Sequence, residues 1–204
     1  MRRCDLPLFT IGTNGPRFFN RNAVAAEQFA LHRAIVAPVA IEESLLVAVT
    51  KLADRGVWVE DVHALGDFLT EPTPLAGRAM ELTLQHPTLL RWLEAVTGCA
   101  SLSAVQGHIA RTLPHENHRL RWHNDLNVPN RRLAITVNLS DAPYEGAIFE
   151  LRDVATKTDL FRFVHRRLGD AVIFEVASRS EHRVTRMVAG GPRCVFAGWF
   201  VGPS

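Results

Sequence analysis

Hydrophobic residues change their spacing near the middle of the chain. Within residues 42–52 (EESLLVAVTKL), Leu45, Leu46, Val49 and Leu52 recur at helical spacing. Residues 86–98 (HPTLLRWLEAVTG) predict a second helix, entered through Pro87, which needs no amide partner at a first helical position, and ended by Gly98. Beyond residue 100 the apolar runs shorten and fill with Val, Ile, Thr and Phe between turn formers, predicting strands over 103–112, 132–139, 147–151, 171–176, 182–188 and 194–201. Residues 143–146 (PYEG) and 190–192 (GGP) supply turns between them, glycine giving positive φ and proline a fixed one. Residues 67–75, with Pro72 and Pro74, are expected to form a mobile loop. There is no internal repeat or low-complexity tract.

This pattern predicts a mainly β protein with N-terminal helices. Its 204 residues, 47% of them hydrophobic, suffice for one domain with a sizeable core, in which 1–100 form a mostly helical bracing section and 101–204 the β core. No run approaches the roughly 18 apolar residues of a membrane span, and the first residues lack the apolar stretch of a secretory signal, so a cytoplasmic protein is expected. Cys4, Cys99 and Cys194 are odd in number and scattered, as reduced thiols are. The net charge of +2 is uneven: residues 1–110 carry 9 basic and 11 acidic side chains, 111–204 carry 14 and 10. An electropositive mouth on the β half would suit an anionic substrate, although a solvated arginine-rich surface explains the same count. No basic run or basic–aromatic interleaving points to nucleic acid.

The chemistry concentrates in the β half. His123-Asn124-Asp125 is followed by His182, 59 positions on, and by Arg193. Two imidazoles and one carboxylate, with no thiolate, form the ligand set that leaves adjacent positions of an Fe(II) ion open. On an extended strand residues i and i+2 share a side, so His123 and Asp125 are expected to reach one ion from one strand, with His182 arriving from a neighbouring strand.

These residues, together with Asn138-Leu139-Ser140, Tyr144-Glu145-Gly146-Ala147, Gly169-Asp170-Ala171-Val172-Ile173-Phe174, Gly191-Pro192-Arg193 and Gly198-Trp199-Phe200, make residues 104–200 resemble the Fe(II)/2-oxoglutarate-dependent dioxygenase superfamily, especially its prolyl-hydroxylase-like branch. The resemblance implies a double-stranded β-helix, a cupin-like jelly roll, braced by the N-terminal helices. It implies that His123, Asp125 and His182 ligate iron and that Arg193 pairs bidentately with the distal carboxylate of 2-oxoglutarate. Thr112 and Asn138 stand near positions where relatives carry tyrosines that help hold this co-substrate; the chain has one tyrosine, Tyr144. The implied reaction consumes dioxygen and 2-oxoglutarate, releases succinate and CO2, and hydroxylates a C–H bond of a small molecule or peptide, in a monomer or homodimer. Asp125 argues against halogenation, which in related enzymes needs a small residue there.

Two other readings share the fold: a non-catalytic metal- or ligand-sensing jelly roll, and a cupin-type oxygenase or isomerase independent of 2-oxoglutarate. Both leave Arg193 unexplained. Arg186, four residues after His182, is the next candidate anchor, with a surface ion pair as its plainer role. His115 and His118 read best as solvated loop residues, Trp122, Trp199 and Phe200 as core or cavity wall, and Glu145, Glu150 and Asp153 as a charged strand edge. The sequon at Asn138 lies inside a predicted strand, which argues against modification.

Overall fold

The computed structural model describes residues 6–71, 74–114 and 117–203. Cys4, Pro72, His115 and Glu116 therefore lie outside the described residues. In chain order the first half contains β1 (Phe9–Gly12), β2 (Gly15–Phe18), α1 (Asn22–His32), β3 (Ala34–Ala37), α2 (Glu43–Asp54), β4 (Val59–His63), β5 (Gly66–Thr70), α3 (Leu75–Leu84) and α4 (Pro87–Thr97). The second half is all strand: β6 (Ala104–Thr112), β7 (Arg119–His123), β8 (Arg131–Asn138), β9 (Tyr144–Gly146), β10 (Phe149–Asp153), β11 (Asp159–Phe163), β12 (Ala171–Glu175), β13 (Ser180–Val184), β14 (Met187–Gly190) and β15 (Arg193–Val201).

One antiparallel sheet runs β11-β10-β13-β7-β5-β6-β15-β8-β12-β3, with β4 paired to β5, and it curls into the expected jelly roll. Strand alternation gives this sheet two apolar faces. On β8, Leu133, Ile135 and Val137 join the core beneath the helices, with Leu89, Leu93 and Phe196, whereas Ala134 faces the barrel interior with Phe149, Phe174 and Val184. Gly107 makes the close pairing of β6 and β15 possible: a Cβ there would lie 2.4 Å from the Phe196 ring and 2.6 Å from the Ala197 carbonyl.

Helix α4 forms as its sequence predicts. His86 Nδ1 accepts the Thr88 amide at 3.3 Å, Pro87 opens the first turn, and Gly98 closes the last in the left-handed region at φ +68°. Leu89, Leu90, Leu93 and Val96 then bury one face, each worth about 1.5–3 kcal/mol. Helix α2 buries Leu46, Val49 and Ala53. No helix among the described residues is long and apolar enough to cross a membrane.

The first hundred residues differ from the expected helical brace, because they also supply strands to the main sheet. β3 extends it beyond β12, and β5 bridges β6 and β7 where a loop over 67–75 was expected. Ladder bonds to Ala110 and Arg111 on one side and to Leu120 and Arg119 on the other outweigh the turn propensity of Gly66 and Asp67. The strand expected over 147–151 begins two residues later, since Ala147 takes φ +46° and gives its amide to the Arg186 carbonyl. The run 182–188 divides at Thr185, whose hydroxyl accepts the Ile148 amide at 2.9 Å.

Candidate metal centre and cavity

His123 closes β7, and the register places it directly across from His182 on β13, with ring centroids 4.1 Å apart. His123 Nδ1 lies 2.7 Å from the Arg121 carbonyl, a bond that takes the Nδ1–H and leaves Nε2 free to ligate. Asp125 reaches the pair differently from expectation. The strand has ended, and Asp125 occupies the left-handed region at φ +61°, beside an Asn124 side chain that accepts the Leu126 amide at 3.3 Å. Aspartate tolerates this conformation better than most residues. Its Oδ1 then lies 3.3 Å from His123 Nε2 and its Oδ2 3.6 Å from His182 Nε2, and one ligand atom from each of the three residues falls within 4.8 Å of the others.

Electrostatics favour the ligating protonation states of Asp125 and His182. Burial alone would raise the Asp125 pKa, but the neighbouring His123 and the Trp199 indole N–H, 2.9 Å from Oδ2, hold it well below the usual carboxylate range. Burial, reinforced by His123, pushes His182 down to about 3, so its imidazole is neutral. Burial also opposes protonation of His123, yet Asp125 outweighs it and raises that pKa. Neutral imidazoles and an ionised carboxylate are what a divalent ion requires. The Arg131 guanidinium lies 3.6 Å from the Trp199 ring centroid, and its Nη1 is 3.7 Å from Asp125 Oδ1, so Trp199 and Arg131 together clamp the carboxylate.

The three residues open into a cavity of about 230 Å3. Arg193, the first residue of β15, lines it while only 3% exposed. Its Nε is buried without a hydrogen-bond partner, and among the described residues no carboxylate pairs with it. A buried cation left unpaired in the protein is an unmet demand for an anion. Thr112 faces Arg193 across the β6–β15 ladder and also lines the cavity, its hydroxyl 4.0 Å from Met187 Sδ.

Asn138 is placed elsewhere. It does not line the cavity, and its amide is occupied, Nδ2 donating to the Arg167 carbonyl at 2.9 Å and Oδ1 accepting from Ser140 N–H at 3.3 Å. On the same strand Thr136, two residues earlier, does line the cavity, with its hydroxyl 2.9 Å from His165 Nε2. Burial first, and the Arg193 charge second, push His165 down to about 3. Strand alternation through Asn138 could have pointed to Thr136, but nothing in the sequence marks His165 as its partner.

Arg186 is exposed and outside the cavity, whereas His118 is buried, its Nδ1 accepting the Leu113 amide at 3.0 Å, rather than solvated. Trp199 is cavity wall, as expected, and in addition a hydrogen-bond donor to Asp125. The cavity wall also carries Phe68 stacked on His108 at 5.7 Å, with Trp199 5.9 Å beyond. Phe68 belongs to the strand that the sequence reads as a loop.

Residues 107–201 match the model of the 2OG-Fe(II) oxygenase superfamily, a span that contains Thr112, His123, Asp125, Asn138, His182 and Arg193. No curated protein matches the chain in sequence. Among solved structures, a Pseudomonas putida prolyl-4-hydroxylase superposes with a TM-score of 0.66 at 16% identity, covering 90% of this chain and 100% of that one. A Trichoplax adhaerens prolyl hydroxylase, in complex with a hypoxia-inducible-factor oxygen degradation domain peptide fragment, gives 0.62 at 12% identity over 88% of each chain. The epimerase SnoN, in complex with Fe3+, alpha-ketoglutarate and nogalamycin RO, gives 0.62 at 14% identity over 88% of this chain and 83% of that one. Residues 107–201 thus resemble a 2OG-Fe(II) oxygenase domain, and the chain has the fold of the prolyl hydroxylases that superpose on it. The donor set of His123, Asp125 and His182 fits iron, and the buried Arg193 guanidinium, with no carboxylate partner among the described residues, fits a dicarboxylate.

Proposed function

We propose that the chain hydroxylates a C–H bond of a small molecule or peptide, with His123, Asp125 and His182 as the iron ligands and Arg193 as the anchor of the distal carboxylate of 2-oxoglutarate. The observation that carries this reading is one cavity joining three convergent ligand atoms to a buried guanidinium with no counter-ion. Bound iron and 2-oxoglutarate would supply an oxidant able to attack an unactivated C–H bond, with dioxygen consumed and succinate and CO2 released.

The protein's own residues do the positioning. His123 and His182 present ring nitrogens on adjacent strands, that of His182 neutral, and Asp125 adds the charge that favours a divalent ion. Trp199 donates to Asp125 Oδ2 and so fixes the orientation of the carboxylate that would help hold the metal. Arg193 meets a carboxylate with a planar fork, fixing the co-substrate's far end while Thr112 stands beside it. Phe149, Phe174 and Val184 keep the inner wall apolar, which limits water where the reaction occurs. Peptide and small-molecule substrates are both supported, because the Trichoplax adhaerens enzyme holds a peptide and SnoN holds nogalamycin RO on this fold.

Anaerobic reconstitution with Fe(II) and 2-oxoglutarate, followed by a screen of peptides and small molecules for succinate release, tests the proposal. Substrate-stimulated succinate that disappears in His182→Ala is expected. Iron binding without 2-oxoglutarate binding would favour the sensing jelly roll instead.

A further inference from the structure

A second cavity, of about 380 Å3, shares Arg131 with the first. Its charged lining is one-sided, with Arg33, Arg131, Arg132 and Arg179 against the single carboxylate of Glu175. Two of those arginines are already matched. Arg179 grips Glu175 through two contacts, the Nε one at 3.0 Å, and Arg131 stands 3.7 Å from Asp125. Arg33 and Arg132 remain, and among the described residues neither has an ion-pair partner.

Their placement is built into the fold. Consecutive amides at the end of β12 hold the two backbones, Glu175 N–H donating to the Arg33 carbonyl at 3.0 Å and Val176 N–H to the Arg132 carbonyl at 3.1 Å. The two unmatched arginines therefore flank β12 from β3's side and from β8. The Nε atoms of Arg131 and Arg132 are buried with no acceptor. Phe29 and Leu133 line the same space and make part of it apolar. Four arginines against one carboxylate leave this lining net positive, and buried donors without acceptors are costly, so an anion in the cavity would relieve both effects. A guanidinium fork matches phosphate and carboxylate oxygens equally well in geometry.

We propose that this cavity is a binding site for a small oxyanion-bearing molecule, a phosphate or a carboxylate, held by Arg33 and Arg132 and distinct from the metal centre. The proposal needs neither iron nor turnover. Glu175 and Arg179 form its rim, and its apolar wall suits an organic anion over a bare ion.

Calorimetric titration of the full, metal-free chain with inorganic phosphate and, separately, with citrate tests the site, using sodium chloride at matched ionic strength as the control. Saturable one-site binding of either anion is expected; phosphate alone assigns the phosphate class and citrate alone the carboxylate class. Arg132→Gln and Arg33→Gln, each with unchanged circular dichroism, should weaken binding about tenfold or more through loss of charge-assisted hydrogen bonds, while Arg132→Lys should retain part of it. A check that needs no variant uses Cys99, a half-buried free thiol in the cavity wall. Its alkylation by neutral iodoacetamide, followed by peptide mass spectrometry, should slow at saturating anion. Heats that match sodium chloride with an unchanged Cys99 rate, or equal affinity in both glutamine variants, would overturn the proposal.

Discussion

Replacing Arg193 with methionine should change the stability of the protein in opposite directions depending on whether 2-oxoglutarate is present. In the protein alone Arg193 is 3% exposed and no carboxylate meets it, so its guanidinium carries desolvation without a paired charge. Methionine fills similar length without charge. By analogy with buried charges replaced by apolar side chains, the co-substrate-free protein should gain about 1–4 kcal/mol, or roughly 2–16 °C in melting temperature for a domain of this size. With metal and co-substrate the balance reverses. Removing one partner of a buried charge pair costs about 2–5 kcal/mol, a loss of at least roughly thirtyfold in affinity. At 2-oxoglutarate one hundred times its dissociation constant, the unaltered protein should gain about 2.7 kcal/mol from ligand, and the variant, at the same concentration, under about 0.9. Thermal unfolding with and without 2-oxoglutarate, in anaerobic Fe(II), measures both effects in one series. Two results would refute the reasoning: an Arg193→Met protein less stable than the parent without ligand, or one that keeps the full ligand-induced shift.

Other expectations concern the centre and its support. Asp125→Ala and His182→Ala should each lose most bound iron, by metal analysis, with unchanged circular dichroism; full occupancy in either would remove that residue from the ligand set. Trp199→Phe deletes the 2.9 Å bond to Asp125 and should weaken metal binding about 10–100-fold while leaving the fold intact, as read by competition with a chelator. Between pH 6.5 and 5 the metal-free protein should lose stability, because histidines take up protons in the unfolded chain near ~6.5 while folded His165 and His182 do not until about 3. Each can contribute up to ~1.4 kcal/mol per pH unit, and His165→Gln should remove one share; an unchanged slope in urea unfolding would contradict this. Gly107→Ala should cost about 1–3 kcal/mol or more, since its Cβ meets the Phe196 ring and the Ala197 carbonyl, and unchanged stability would mean β6 and β15 can separate.

The strands easiest to read are the central ones. β6, β8, β12 and β15 carry dense runs of β-branched and aromatic residues between turn formers, and the predicted bounds fall within a residue of the observed ones. β5 is the opposite case. Gly66, Asp67 and the nearby prolines read locally as a loop, while the pairing with β6 and β7 that makes Gly66–Thr70 a strand of the main sheet comes from residues at least 40 positions on. β3, only four residues long, carries too little pattern to be seen. At the candidate metal centre, residue type and order drew attention to His123, Asp125 and His182, which the fold brings together, but not to the left-handed turn that aims Asp125. Asn138 shows the limit of the analogy, since position along β8 does not reveal that its amide serves Arg167 and Ser140.

The pairing of β3 with β12 joins Ala34 to Phe174, which lies 140 positions later in the chain (174 minus 34). During synthesis at about 5–20 residues per second, β3 must therefore wait roughly 7–28 s for its partner to exist. Through that interval Ile35 and the apolar side of α1, both buried in the finished protein, have nothing to pack against from the barrel. The N-terminal section cannot complete its own core early, so nascent chains expose it to chaperones and to one another until the last strands emerge.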